Sequence, residues 1–211
     1  VLIRDAVMIA GYWPRDGEVV ANFIKSLVVA LAGIGLGLLA TWLSIENGRG
    51  FGAVHAGPWI GWPRAGTPGA DPYARAAMSR TGELPLGLAE GLTFLAREDS
   101  AGEPLQGSCH YTIAPPVPSA RYWTLSLATP EGKAISTDFG RTGLTSSEIV
   151  RTGADKFVIS VSATVEPGNW LPVITREPFV LVLRLYDTPA SAAANALKAG
   201  DMPKITRGAC S

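Results

Sequence analysis

Twenty consecutive residues without a charge, Ser26 to Ile45 (SLVVALAGIGLGLLATWLSI), constrain this chain more than any other feature. At helical rise, a run of that length spans a bilayer core of roughly 30 Å. Ten of its residues are Leu, Ile or Val. Each favours insertion by about 0.3–0.6 kcal/mol, so the segment as a whole favours the membrane by several kcal/mol. A core helix of a soluble domain fits poorly, because no polar stripe at helical spacing interrupts the run. A signal peptide would carry an apolar stretch of about 7–15 residues with a small-residue cleavage site close behind. Here the nearest such site, Val54-His55-Ala56, lies well beyond the run. Length therefore favours a retained anchor.

Four regions follow: a short cytoplasmic segment (1–25), a transmembrane helix (26–45), a linker rich in Gly, Pro and Trp (46–70), and a domain over 71–211. Arg4, Arg15 and Lys25 precede the apolar run, and Arg49 and Arg64 follow it. That is a slender positive-inside bias. Cys109 and Cys210, the only cysteines, both lie beyond the run. A disulfide in an oxidising compartment is one reading of such a pair, two separate thiols the other. Charge and cysteines together put the domain outside the cytoplasm. Gly33-x-x-x-Gly37 matches the small-residue motif that lets membrane helices approach closely, which would make a homo-oligomer through this helix. Glycine is also simply common in such helices.

The chain has 18 basic and 18 acidic residues. No basic face suggests a nucleic-acid partner, since phosphate binding needs one. The 24 glycines and 16 prolines of the chain suit short strands better than long helices. In the linker, Trp59 and Trp62, with Trp42 and Phe51 nearby, either sit at the lipid headgroup level or pack onto the domain. Asp71-Pro72 reads as an N-cap with proline at the first helical position, opening a short helix to about Ser79 with Gly82 as its stop.

From there the pattern turns to period two. Leu92–Arg97 and Ser108–Ile113 read as a hairpin across Asp99-Ser100-Ala101-Gly102. Cys109, Tyr111 and Ile113 share one face of the second strand and His110 takes the other. Ala120–Leu127 follows, then a Thr129-Pro130-Glu131-Gly132 turn. A strand around Phe157, Ile159 and Val161 comes next. The clearest strand is Phe179–Tyr186, with Phe179, Leu181, Leu183 and Leu185 on one face. Ser191–Lys198 is a short helix, and Ile205–Cys210 a last strand. The fold expected is mainly β: one N-terminal transmembrane helix, then an antiparallel, jelly-roll-like β-sandwich with one or two short helices.

Catalytic signatures are missing from this pattern. There is no G-x-S-x-G elbow, H-E-x-x-H pair or Walker loop, and two cysteines with two histidines show no zinc-ligand spacing. A Cys109–His110 dyad fails because strand neighbours point to opposite faces. No catalytic residue, metal site or cofactor is assigned. The unusual signal is arginine within strands. Arg121 shares a parity with Trp123, Leu125 and Leu127, and Arg184 with Val180, Val182 and Tyr186. Structural pairing with an acid or an aromatic face is favoured, because buried charges are usually paired. The other reading is an anion- or sugar-binding surface built from Arg121, Trp123, Trp170, Arg184 and Tyr186, with Asn169 beside it.

Three segments occur in order: Ala120-Arg121-Tyr122-Trp123-Thr124-Leu125, Pro167-Gly168-Asn169-Trp170-Leu171-Pro172 and Leu183-Arg184-Leu185-Tyr186-Asp187. Together they resemble the bacterial domain-of-unknown-function family 1214, often found beside or fused to family 1254. The likeness runs from about Gly57 to the C-terminus. It implies a β-sandwich in an envelope protein of a Gram-negative bacterium, hence a single-pass inner-membrane chain with its C-terminal domain in the periplasm. It implies no activity. Three functions are then open. The first is a tethered binding or accessory module for an envelope component or a neighbouring membrane protein, of family 1254 for instance. The second is an envelope hydrolase acting on a polar or anionic substrate. The third is a structural subunit of a membrane assembly. A deep pocket holding a carboxylate beside the arginines would favour the enzyme, and a flat surface the binding module.

Overall fold

The structure, a computed structural model, describes residues 16–46, 52–81, 85–137, 140–153 and 156–210. Two compact units divide the chain at Ser44/Ile45. The first holds helix α1, Asp16–Glu46, which begins ten residues before the apolar run. Its stretch Val19–Ser44 is long and apolar enough to cross a membrane. Large apolar side chains such as Phe23, Val29 and Leu36 stand exposed along it. At Gly33 and Gly37 an added Cβ would meet open space. The expected N-terminal segment through residue 15, Arg49 and Gly82 lie outside the described residues.

The second unit is a β-sandwich, with ten strands among the described residues. In chain order they are β1 (Val54–Ala56), β2 (Trp59–Gly61), β3 (Gly91–Ala96), β4 (Cys109–Ala114), β5 (Tyr122–Ala128), β6 (Gly143–Thr145), β7 (Ile159–Ser162), β8 (Asn169–Pro172), β9 (Val180–Tyr186) and β10 (Lys204–Cys210). One sheet runs β1-β2-β3-β9-β5-β6 and the other β10-β4-β7-β8. Inward residues of both sheets form one core, with Phe94, Tyr111, Trp123, Leu125, Ile159, Leu171, Leu183 and Ile205 among its members. Helix α2 (Pro72–Thr81) starts where the sequence places it: Asp71 Oδ2 accepts from the Ala74 N–H at 3.0 Å. The turn after β5 is as expected, with Gly132 at φ 86° and its N–H donating to Thr129 O at 2.8 Å.

Four expectations need correction. Residues 54–61, assigned to the linker, form the hairpin of β1 and β2. Trp59 is fully buried, and its indole N–H donates to Pro203 O at 2.7 Å. Three-residue strands between glycines carry too little alternation to be seen in sequence.

The expected hairpin of β3 and β4 does not exist, because the two strands belong to different sheets. The chain between them turns at Asp99, a buried carboxylate whose Oδ1 accepts from the N–H groups of Ala101 (2.8 Å) and Glu103 (3.1 Å). Arg207 on β10 holds its other oxygen, with Nε 3.2 Å away. Ser100 in the same turn bonds the outer edge of β10 at Ile205, through its N–H and its hydroxyl (both 2.9 Å). The turn therefore covers an edge strand instead of joining a hairpin.

The sandwich is also not wholly antiparallel, since β7 and β8 pair in parallel. These four-residue strands span about 13 Å, short enough for residues 163–168 to return without a helix. The C-terminal helix expected over 191–198 is a kinked 3-10 stretch, Pro189–Ala196, capped by the Thr188 hydroxyl.

Candidate functional site

The six sequence-selected residues do not share one surface. Trp123 points inward, 6% exposed, and stacks on Phe157 with ring centroids 5.6 Å apart. It is core. Asn169 is buried, and both ends of its amide are used. Its Oδ1 accepts from Val150 N–H at 2.7 Å, and its Nδ2 donates to the carbonyls of Val150 and Val158, each at 2.9 Å. That amide clamps the backbone at Val150 and Val158 onto β8. Trp170 lies on the outer face of the four-stranded sheet, its indole N–H shared between Ser162 O (3.2 Å) and Ser162 Oγ (3.1 Å).

Arg184 and Tyr186 share the outer face of the six-stranded sheet, and Arg121 lies at its end, ahead of β5. Leu181, Leu183 and Leu185 of β9 face the core, so Arg184 and Tyr186 face away from it. Register pairs Tyr186 with Tyr122 on β5 and Arg184 with both Thr124 on β5 and Thr93 on β3. The two tyrosine rings lie 5.9 Å apart at 45°. Tyr122 was missed in sequence, although its parity opposite Trp123 on one strand was the available signal. Thr93 Oγ1 is buried with no hydrogen-bond partner among the described residues. The face is covered at one end, where Val180 and Val182 are buried, and opens toward the tyrosines.

Arg121 is not in a strand. It precedes β5, its backbone N–H donates to Asp187 O at 3.2 Å, and its side chain is 82% exposed. The guanidinium reaches Asp187 Oδ2 at 3.6 Å. The expectation of a buried arginine is overturned here by that bend in the chain ahead of the strand. Arg184 is half-buried on β9. Asp187 itself has φ 47°, the one non-glycine residue with positive φ among the described residues.

A separate open cleft of about 620 Å³ lies at the other end of β5, lined by Thr129, Pro130, Glu131, Ile135, Ile174, Thr175, Glu177 and Pro178. The Thr129 hydroxyl beside it, its own backbone N–H and the charges of Lys133 and Arg97 hold the Glu131 carboxyl below its usual range. None of the candidate arginines reaches this cleft, since the length of β5 separates them, roughly 20 Å. Neither Arg121 nor Arg184 therefore stands beside a carboxylate in this cleft; the arginine that borders it is Arg97, whose Nη1 donates to Pro130 O at 3.2 Å. Among the described residues no group of three His, Cys, Asp or Glu side chains is placed to hold a metal.

Cys109 and Cys210 are bonded, across a separation of 101 residues. They are register partners on β4 and β10, beyond an irregularity that follows Arg207.

Comparison with known proteins agrees with the three ordered segments. Residues 90–190 match the family described as protein of unknown function, DUF1214. They form a DUF1214 domain. The match covers Cys109 and the six candidate binding residues but not Cys210, so the disulfide ties the DUF1214 segment to the tail that follows it. No curated protein matches the chain. Among solved structures, the VPA0106 protein from Vibrio parahaemolyticus is similar at 21% identity and TM-score 0.51, over 67% of this chain. The likeness spans only 36% of that protein and concerns the fold alone. An uncharacterised Burkholderia cenocepacia protein is similar at 17% identity and TM-score 0.38, over 70% of this chain and 46% of that one.

Proposed function

We propose that the chain is a membrane-tethered binding module of the bacterial envelope. In this reading α1 anchors it in the inner membrane, and the DUF1214 sandwich, on the periplasmic side, captures an envelope component or a neighbouring membrane protein. The observation that carries it is the open end of the six-stranded sheet. There the Tyr122–Tyr186 pair and Arg184 share the outer face, with the exposed Arg121–Asp187 pair at the strand ends next to the tyrosines. Large aromatics with arginine on a surface not used for packing are what binding faces are made of. The disulfide fits an oxidising compartment and so supports the orientation.

The test is retention of solubilised envelope material by the full chain in mild detergent. The wild type is compared with the Tyr122→Ala/Tyr186→Ala double variant and with Thr206→Ala, an exposed change on the other sheet. The expected result is material retained by wild type and Thr206→Ala and lost from the double variant. Equal retention by all three would overturn this reading.

A further inference from the structure

Resting on that reading, we propose that the ligand of the Tyr122–Tyr186 face is a carbohydrate. Four observations argue for this class. First, the tyrosines are cross-strand partners whose rings, 5.9 Å apart, make a platform about the size of one hexose ring. The C–H face of a pyranose lies against such π-systems, as cations and other polarised edges do. Second, the rim of the platform is a pair with both polarities. Arg121 donates, Asp187 accepts, and both side chains are more than two-thirds exposed, 82% and 72%. A sugar hydroxyl both donates and accepts, so it can bridge the two. Third, the row beside the tyrosines carries hydroxyls on either side of a guanidinium, Thr93–Arg184–Thr124. The Thr93 oxygen lies buried beneath this row, with no hydrogen-bond partner among the described residues. Fourth, Asp187 is held in a left-handed backbone conformation at the edge of this platform. Such a conformation in a non-glycine residue persists where the surroundings enforce it, and binding sites are where it collects.

The same geometry disfavours other classes. A peptide read by strand addition needs a free edge, but β9 lies between β3 and β5, and β5 between β9 and β6. Nucleic acid and anionic lipid both need a positive field. Asp187 neutralises Arg121, and the chain as a whole has no net charge. An uncharged polyol asks for none.

The experiment presents the full chain, in a detergent without a sugar headgroup, to an array of hexose, hexosamine, hexuronate and deoxyhexose oligomers. Oligomers that are retained are titrated to give Kd. Tyr122→Ala and Tyr186→Ala are expected to weaken binding by about tenfold each. Tyr122→Phe and Tyr186→Phe keep the platform and should keep the affinity. Asp187→Asn should weaken binding with Tm unchanged, a split that a merely structural role would not give. Thr206→Ala should match wild type. Retention of no oligomer, or binding that the alanine variants leave intact, would overturn the carbohydrate assignment.

The two levels of the proposal separate as follows. Envelope material lost from the Tyr122→Ala/Tyr186→Ala variant, but still retained by wild type after periodate cleavage of its vicinal diols, would sink the carbohydrate and leave the binding module standing. Material retained equally by that variant would sink both.

Discussion

The two faces of the β5–β9 pair differ in what their aromatic and charged residues are spent on. Inward, Trp123, Leu125 and Leu127 meet Leu181, Leu183 and Leu185 in a core without gaps in its apolar character, and Trp123 stacks on Phe157. Outward, one residue away, Tyr122 is 36% exposed where Trp123 is 6%. Arg184 and Tyr186 alternate with Leu183 and Leu185 in the same way. Residue type does not separate a buried aromatic from an exposed one. Parity on the strand does, because successive side chains point to opposite faces. The outer face of the four-stranded sheet sharpens the point. There Trp170 gives its indole N–H to Ser162, and His110 Nε2 lies 3.9 Å from Glu166.

The largest expected effect breaks the inward face. Trp123→Ala removes a buried ring and leaves a cavity, costing about 3–5 kcal/mol, a large part of the 5–15 kcal/mol a typical domain holds. Thermal or urea unfolding of the full chain, followed by the signal of the sheet domain, measures it. A cost below about 1 kcal/mol would mean that Trp123 is less essential to the core than its burial and stacking say.

The disulfide acts on the same side. Cys109 lies in the core cluster, and its partner Cys210 ends the edge strand β10. Cys109→Ser/Cys210→Ser opens a loop of about 100 residues, and the chain-entropy account gives a loss of up to roughly 4–5 kcal/mol. Comparison of the double variant with wild type, under oxidising conditions and again in reductant, checks this. The wild type alone should lose stability in reductant.

Asn169→Ala is expected to cost less, about 1–3 kcal/mol, through the Val150 N–H and the Val150 and Val158 carbonyls left without their amide partner. Hydrogen exchange should speed up at Val150 before the rest of the sheet. Protection unchanged there would refute the clamp.

These positions also show how far the sequence could be read. Strand β9, the turn at Pro130-Glu131-Gly132 and the cap at Asp71 were legible because period two, turn chemistry and capping are local properties. The bond between Cys109 and Cys210 was one of two readings of the sequence, favoured by the compartment argument alone. Sheet membership was not legible. Leu92–Arg97 and Ser108–Ile113 flank a turn sequence, yet nothing local says whether the chain returns to the same sheet. The bonds that decide it, Asp99 to Arg207 and Ser100 to Ile205, are more than a hundred residues apart in sequence. Of the candidate residues, Arg184 and Tyr186 share one face of β9, as their common parity implied. Trp123 and Asn169 were misjudged because an aromatic or an amide in a strand reads alike whether it faces core or solvent.

The smallest expected effect falls on the outward face. Arg121 pairs with Asp187 at 3.6 Å, but the two side chains are 82% and 72% exposed. Water and salt screen such a pair, and exposed pairs contribute about 0–1 kcal/mol. The backbone bond from Arg121 N–H to Asp187 O does not depend on the side chain and survives substitution. Arg121→Ala should therefore melt within a degree or two of wild type, at low salt as at high salt, while losing affinity for whatever the face captures. The contrast with Trp123→Ala is one of desolvation: a buried group has left water whether or not ligand is present, whereas an exposed charge leaves it only on binding. A drop of several degrees for Arg121→Ala, with capture intact, would assign the pair to holding the β5 and β9 ends together. The outward face would then be a second structural face, and the comparison would lose its meaning.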